Sequence, residues 1–183
     1  AQRTQDLEKA TQRLKIIADT DMLTGLLNRQ ALTERMLSLA DTHIDGCFSI
    51  LVLDADHFKR LNDDHGHLKG DECLASVSRL MKAKFDRRSD IVARFGGEEF
   101  IIVVQDDEQG VMLEKLEELR KEISQLHFAN DAGHLIVITI SIGAMTAQAT
   151  FSENIDDWIK LADEQLYQAK NNGRNRISIH HVS

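Results

Sequence analysis

The chain has 183 residues, 42% of them apolar, and no low-complexity tract, which is material for one well-buried globular domain rather than two. Its formal net charge of -8 argues against a nucleic-acid polymer as partner, because phosphate strands would be repelled unless the basic residues gathered in one patch; a small anionic ligand stays compatible with it. Cys47 and Cys73 lie in apolar stretches with neither CxxC spacing nor a neighbouring cluster, the pattern of reduced core residues in a cytoplasmic protein rather than of a disulfide framework.

The N-terminus is polar and helical, and no run of about 18 apolar residues occurs, so neither a signal peptide nor a membrane span is expected, and this segment should make no direct membrane contact. The chain begins at Ala1 without methionine, as expected of a piece of something longer whose sensor or anchor lies upstream. From about Thr4 to Ala18, Leu7, Ala10, Leu14 and Ile17 recur at three- and four-residue steps. That is either the seam of a two-heptad coiled coil or the apolar face of a helix folded back on its own domain.

Leu32, Met36 and Leu39 predict a helix from Asn28 to Ala40, and Cys47 to Leu53 is a short apolar run of the buried-strand type. His57 to Asn62 reads as a short helical turn, and Gly70 to Phe85 as a helix with Leu74, Val77, Met81 and Phe85 on one face. Ile91 to Phe95 and Phe100 to Val104 are two strands, with Gly96-Gly97 supplying the positive φ angles of a tight hairpin turn. Met112, Leu116, Leu119, Ile123 and Leu126 mark a long amphipathic helix, and β-branched Leu135 to Ile142 reads as a strand. A last helix carries Ile155, Ile159, Ala162, Leu166 and Ala169, stops near Asn171-Asn172-Gly173, and is followed by an edge strand at Ile177 to His180. The order implies an α+β or α/β sandwich, a partly antiparallel central sheet with helices packed against it.

Asp54 closes the apolar strand and Asp56 follows, while Glu98 and Glu99 follow the Gly-Gly pair. If those strands are neighbours, Asp54 and Glu98 converge into a cradle for a hard, oxygen-loving cation such as Mg²⁺, which would bring phosphates; otherwise they are turn acids facing water. A residue without Cβ at Gly96 or Gly97 would let a ligand approach the backbone, though an ordinary hairpin has the same glycines. Lys170 and Arg174, four apart at the end of the last helix, are either anion contacts or cations complementing the helix dipole. His43, His65, His67, His127, His134 and His180-His181 form no spaced metal cluster.

Together these residues resemble the GGDEF family. The signature stands here as Arg94-Phe95-Gly96-Gly97-Glu98-Glu99-Phe100, in the GGEEF form associated with active diguanylate cyclases. Further matching blocks are Asp21-Met22-Leu23-Thr24-Gly25-Leu26-Leu27-Asn28-Arg29, and Leu53-Asp54-Ala55-Asp56-His57-Phe58-Lys59 with Asn62, Gly66-His67 and Gly70-Asp71. Ser141-Ile142-Gly143, Ala162-Asp163, Tyr167-Gln168-Ala169-Lys170 and Gly173-Arg174-Asn175 complete the pattern from about residue 19 to 179. The resemblance implies a mostly antiparallel five-stranded sheet flanked by helices, similar to the palm of polymerases and nucleotidyl cyclases. It divides the chain into a linker or signalling helix at 1–18 and a catalytic domain at 19–183.

It also implies that two GTP molecules condense into cyclic di-GMP and pyrophosphate between two such domains, so that the protein works at least transiently as a homodimer. Asp54, the backbone carbonyl of Ala55 and Glu98 would hold two Mg²⁺ ions on each GTP, with Mn²⁺ as a substitute. Glu99 would lie near the reacting groups. Lys59, Lys170 and Arg174 would neutralise phosphates, Asn62 and Asp71 would read the guanine edge, and Phe58, His67, Gly96 and Gly97 would line the nucleotide. An aspartate at 71 accepts from guanine N1–H and N2–H₂, which adenine lacks.

Arg87-Arg88-Ser89-Asp90 resembles the family's RxxD motif for inhibition by bound product, with Arg87 and Asp90 as its contacts; it is alternatively a basic helix end followed by a loop acid. Many members carry another arginine in the following helix, where this chain has Glu117 and Glu118 with Arg120 nearby, a pattern expected to weaken inhibition. Two other readings keep the fold: a silent module that binds GTP or cyclic di-GMP, and a cyclase acting on a single nucleotide.

Overall fold

The computed structural model describes residues 2–42, 45–105, 109–150 and 155–182. Its frame is a five-stranded sheet in the order β2-β3-β1-β6-β7. The central strand β1 (Asp45–Ala55) lies antiparallel between β3 (Glu99–Gln105) and β6 (Ile140–Thr150); β2 (Ile91–Gly96) edges β3, and β7 (Ile177–Val182) closes the far side. β7 runs parallel to β6 and is the only parallel member of this sheet among the described residues. The expected mostly antiparallel sheet is therefore present.

Alternation along the strands divides the core between two faces. Leu51, Leu53, Phe100, Ile102 and Val104 face α4 (His67–Lys84) and α5 (Gln109–Ser124) through Leu74, Val77, Met81, Leu116 and Leu119. Ile50, Val52, Ile101, Val103 and Met145 face α2 (Arg29–Asp41) and α6 (Ile155–Asn171) through Leu32, Met36, Ala162 and Leu166. Because β1 is covered on both sides, its middle reads as an apolar run interrupted only by the buried Ser49. The short helix α3 (Phe58–His65) seats Phe58 and Leu61 at the edge of the first layer. Asn28 caps α2, its side-chain oxygen accepting from the Ala31 N–H at 2.9 Å, so the helix starts at Arg29. Cys73 is in the core, whereas Cys47, near the start of β1, is half-buried rather than a core residue; no disulfide forms.

Two further expectations are corrected. The strand expected at Leu135 to Ile142 is divided into β5 (Leu135–Ile136), which pairs with β4 (Phe128–Ala129) in a small separate hairpin, and the start of β6 at Ile140. β1 ends at Ala55, opposite Ile140, so residues 137–139 have no strand beside them to extend the ladder. The hairpin turn falls on Gly97 and Glu98, not on Gly96-Gly97: Gly96 is the last residue of β2, and of the pair only Gly97 has a positive φ, +52°. A register shift between Arg94 and Gly96 moves the turn one residue onward.

For α1 (Gln2–Asp19), where two readings stand open, the helix is not folded back on the domain: Leu7, Leu14 and Ile17 are 69%, 68% and 63% exposed. Its end is nevertheless tied down, since Asn28 donates from its side chain to the Ala18 carbonyl at 2.6 Å and from its backbone to that of Asp19 at 2.8 Å. No helix among the described residues is long and apolar enough to cross a membrane.

Candidate active site

The adjacency of β1 and β3 brings the predicted acids together. Asp54 lies directly across the ladder from Glu99, and the Ala55 N–H donates to the Glu98 carbonyl at 3.2 Å, which pins the turn to the end of β1. Burial raises the pKa of Asp54; the Lys170 ammonium, 3.1 Å from its Oδ1, works against this, and the charges of Glu98 and Glu99 add to it, leaving the carboxyl at about 6 instead of 3.8. The side chain is only 11% exposed, so these charges are poorly screened. Lys170, expected on a phosphate, is here the counter-ion of Asp54.

Among the described residues no group of three or more acid, histidine or cysteine side chains closes on a common point. The donors available at the β1 end are carboxylates and main-chain carbonyls, all oxygen, and they carry more negative charge than Lys170 offsets. Such a set fits a hard divalent cation that keeps waters or takes phosphate oxygens as its remaining ligands.

Asp56 has a different part. Its Oδ1 accepts from the Ser141 hydroxyl at 2.6 Å, and its Oδ2 accepts from the Thr139 hydroxyl at 2.7 Å and from the Asn175 N–H at 3.0 Å. These bonds tie the end of β1 to β6 and to the loop after α6, where Arg174 and Asn175 both adopt positive φ, +62° and +45°. In the sequence Asp56 marks only the end of the strand. An acid just past β1, with Thr and Ser around the start of β6, is the only sequence trace of its role as a tie.

Of the residues expected at the nucleotide, Phe58 and Asn62 of α3 lie against Gly70 of α4. A Cβ added to Gly70 would collide with the Asn62 side-chain oxygen and press on the Phe58 ring, so glycine at 70 is what allows these two helices to close. The Asn62 Oδ1 is buried, and nothing among the described residues donates to it. A buried acceptor left unmet is unfavourable unless a ligand supplies the donor. Asp71, beside Gly70, is exposed, as are Lys59 and His67 at the starts of their helices and Arg174 in its loop.

In the sequence Arg94 stands out only as part of the signature. In the structure its Nη1 contacts both oxygens of Asp21 at 3.2 Å and its Nε donates to the Gly97 carbonyl at 2.9 Å, linking the turn after α1 to the hairpin. Burial works against the charge on Asp21, but two hydrogen bonds from Thr24 and the Arg94 charge outweigh it and hold the carboxyl below its ordinary value. At the expected product site, Arg87 and Asp90 grip each other: the guanidinium is 3.0 Å from an Asp90 carboxylate that is fully buried, and it also donates to the Gln105 carbonyl at 3.1 Å. Glu118 and Glu122 both contact Lys84, at 3.0 and 2.9 Å.

A model of the diguanylate cyclase GGDEF domain matches residues 18–176, and the chain belongs to that family. The diguanylate cyclase DgcP of Pseudomonas aeruginosa is 40% identical over 162 residues, 87% of this chain and 24% of the relative. DgcM of Escherichia coli K12 is 36% identical over 175 residues, 93% of this chain and 40% of the relative. The chain thus spans between a quarter and two fifths of these curated relatives. Among solved structures, the coiled coil and GGDEF domain of DgcB from Caulobacter crescentus, in complex with c-di-GMP, superposes with a TM-score of 0.86 at 27% identity, covering 97% of this chain and 94% of that one. The active GGEEF domain of a diguanylate cyclase from Vibrio cholerae superposes with a TM-score of 0.73 at 30% identity, covering 86% and 99%.

Proposed function

We propose that this chain is a diguanylate cyclase catalytic domain that condenses two GTP into cyclic di-GMP with release of pyrophosphate. Membership of the family and the relatives' named activity support the reaction. The observation that carries the reading within this chain is the under-neutralised group of Asp54, Glu98 and Glu99 at the end of β1.

In this reading Asp54, the Ala55 carbonyl and Glu98 hold two divalent ions, Mg²⁺ or in its place Mn²⁺. Bound there, the ions would lower the pKa of the attacking 3′-hydroxyl and stabilise charge on the leaving pyrophosphate. Lys59, Lys170 and Arg174 bind the phosphates, with Lys170 relinquishing Asp54 as the nucleotide arrives. Asn62 offers its unmet acceptor to guanine, Asp71 accepts from the N1–H and N2–H₂ edge, and Phe58, His67, Gly96 and Gly97 line the nucleotide. Glu99 lies beside the reacting groups. One GTP per domain requires two domains face to face, so the active form is a homodimer, if only in passing.

Residues 1–18 are the linker or signalling helix of this proposal and 19–183 the catalytic domain. The exposed apolar residues of α1 suit helix pairing in such a dimer, as in the coiled-coil stalk of the reading. Cyclic di-GMP at Arg87 and Asp90 is the proposed feedback inhibitor, and its binding must draw Arg87 away from a partner it already holds. The proposed location is the cytoplasm, where GTP is available.

The test is chromatography of products after incubation with GTP and Mg²⁺, for the parent and for Glu98→Ala at matched concentration. Cyclic di-GMP from the parent alone supports the reading. No product at high protein concentration would leave a binding module, and cyclic GMP would establish a single-nucleotide cyclase.

A further inference from the structure

The helix expected to supply a second arginine to the product site carries Arg120, and the structure turns it elsewhere. Its Nε and Nη2 both donate to Glu117 Oε2, at 3.0 and 2.8 Å, which fixes the plane of the guanidinium; its Nη1 then donates to the Asn175 side-chain oxygen at 2.9 Å. The side chain is 17% exposed, so water competes weakly for these bonds. Glu118 and Glu122 of the same helix reach instead to Lys84 on α4.

Asn175 ends a stretch of three successive residues with positive φ: Gly173 at +114°, Arg174 at +62° and Asn175 at +45°. Only the first is a glycine; asparagine adopts this region readily, but Arg174 holds a backbone conformation that most side-chain-bearing residues seldom keep without outside restraint. Among the described residues, three hydrogen bonds restrain the main chain of Arg174 and Asn175. The Arg174 N–H caps α6 at the Ala169 carbonyl, 3.0 Å; the Arg174 carbonyl accepts from Arg176 Nε, 3.2 Å; and the Asn175 N–H reaches Asp56, 3.0 Å. The Arg120 bond is a fourth restraint, and it comes from α5, an element that contributes no candidate contact to the nucleotide.

We propose that Arg120 is a positioning residue for Arg174, holding Asn175 so that the neighbouring guanidinium is set for the GTP phosphates. The inference rests on the proposed role of Arg174 as a phosphate contact. Arg120 touches neither substrate nor metal in this account; it acts by narrowing the conformations open to the loop, with the Glu117 clamp keeping its fork aimed.

A double-mutant cycle tests it. Pyrophosphate release from GTP is measured for the parent, Arg120→Ala, Arg174→Ala and the double variant. Arg120→Ala should lower kcat/KM by roughly tenfold, mainly through KM, as expected for loss of one charge-assisted hydrogen bond. In the Arg174→Ala background the same change should alter kcat/KM by no more than about twofold, because the residue it serves is gone. Arg120→Lys should recover part of the loss. An unchanged kcat/KM in Arg120→Ala, or an equal loss in both backgrounds, overturns the proposal, since a merely structural role would give the latter. Arg120→Met, which keeps the apolar stem, replaces the alanine variant should that one not fold. If the parent releases no pyrophosphate, the proposed function fails. The same four proteins titrated calorimetrically with inorganic tripolyphosphate and Mg²⁺ then decide the coupling, and absence of binding by the parent overturns it.

Discussion

Asp54 and Asp56 stand two positions apart where β1 ends, both buried, in opposite surroundings. Asp56 accepts three hydrogen bonds, from Thr139, Ser141 and Asn175, which tie the start of β6 and the loop after α6 to the strand end. Asp54 has one cation beside it and two further carboxylates nearby, and is pushed toward the neutral form. The same side chain, buried at the same strand end, serves as a structural tie where donors surround it and, in the proposed function, as a metal ligand where acids do. Charge left uncompensated inside a fold marks the position that awaits something from outside it.

The sharpest way to break this contrast is to neutralise each acid in turn. Asp54→Asn should reduce cyclic di-GMP formation by about a thousandfold or more in a product assay, the scale of losing a preorganised electrostatic contact at the reacting centre. Asp56→Ala should instead act first on stability. Stranding three donors is expected to cost roughly 4 kcal/mol in urea unfolding, with activity falling through the loosened Arg174 loop.

Thermal melting of the unliganded protein should separate them by sign. The pKa of Asp54 is raised to about 6 from 3.8. Its contribution to stability is therefore fully present below about pH 4 and lost as the pH rises through 6, where ionisation of the folded form costs up to about 3 kcal/mol. Asp54→Asn, uncharged throughout, should melt several degrees above the parent at pH 8 and close to it at pH 4. A lower Tm at pH 8 would mean that Lys170 compensates the carboxylate fully, and Asp54 would then join Asp56 as a structural tie.

Two smaller effects sharpen the comparison. Gly70→Ala places a methyl against the Asn62 oxygen and should raise the KM for GTP about tenfold, as displacement of a base-reading group predicts. Thr139→Val removes one of the three donors to Asp56. It should cost about 1 kcal/mol and leave turnover within about twofold. A large loss of turnover there would show that the Asp56 network is tuned for catalysis as well as for architecture.

Most of the framework was legible before any coordinates. Short apolar runs located β1, β2 and β3, period-3.6 stripes located the longer helices, and the Asn171-Asn172-Gly173 signal bounded the last of them, because local backbone preference and burial act together at those positions. Legibility ended where partners mattered. The strand expected from Leu135 was divided because β1 stops at Ala55, a fact about the neighbouring strand and not about residues 137–139. The turn moved from Gly96-Gly97 to Gly97-Glu98 because a register shift absorbed one residue. For α1 the periodicity could not choose between packing on its own domain and standing clear of it, since an apolar stripe does not say what will cover it.

For the site, the sequence by itself determined which residue types cluster in the chain: carboxylates after a buried strand and after a glycine turn, and cations at the end of the last helix. The antiparallel pairing of β1 with β3 decided that Asp54 faces Glu99 across the ladder while Glu98 caps the strand through its main chain. Folding also decided that Asp56, Arg94 and Arg120 are ties reaching across 119, 73 and 55 residues of chain. Such bonds leave no local pattern, because their energy depends on elements brought together only when the core closes. The surplus of negative charge that Lys170 only partly offsets is likewise a product of burial, invisible until water has been removed from around it.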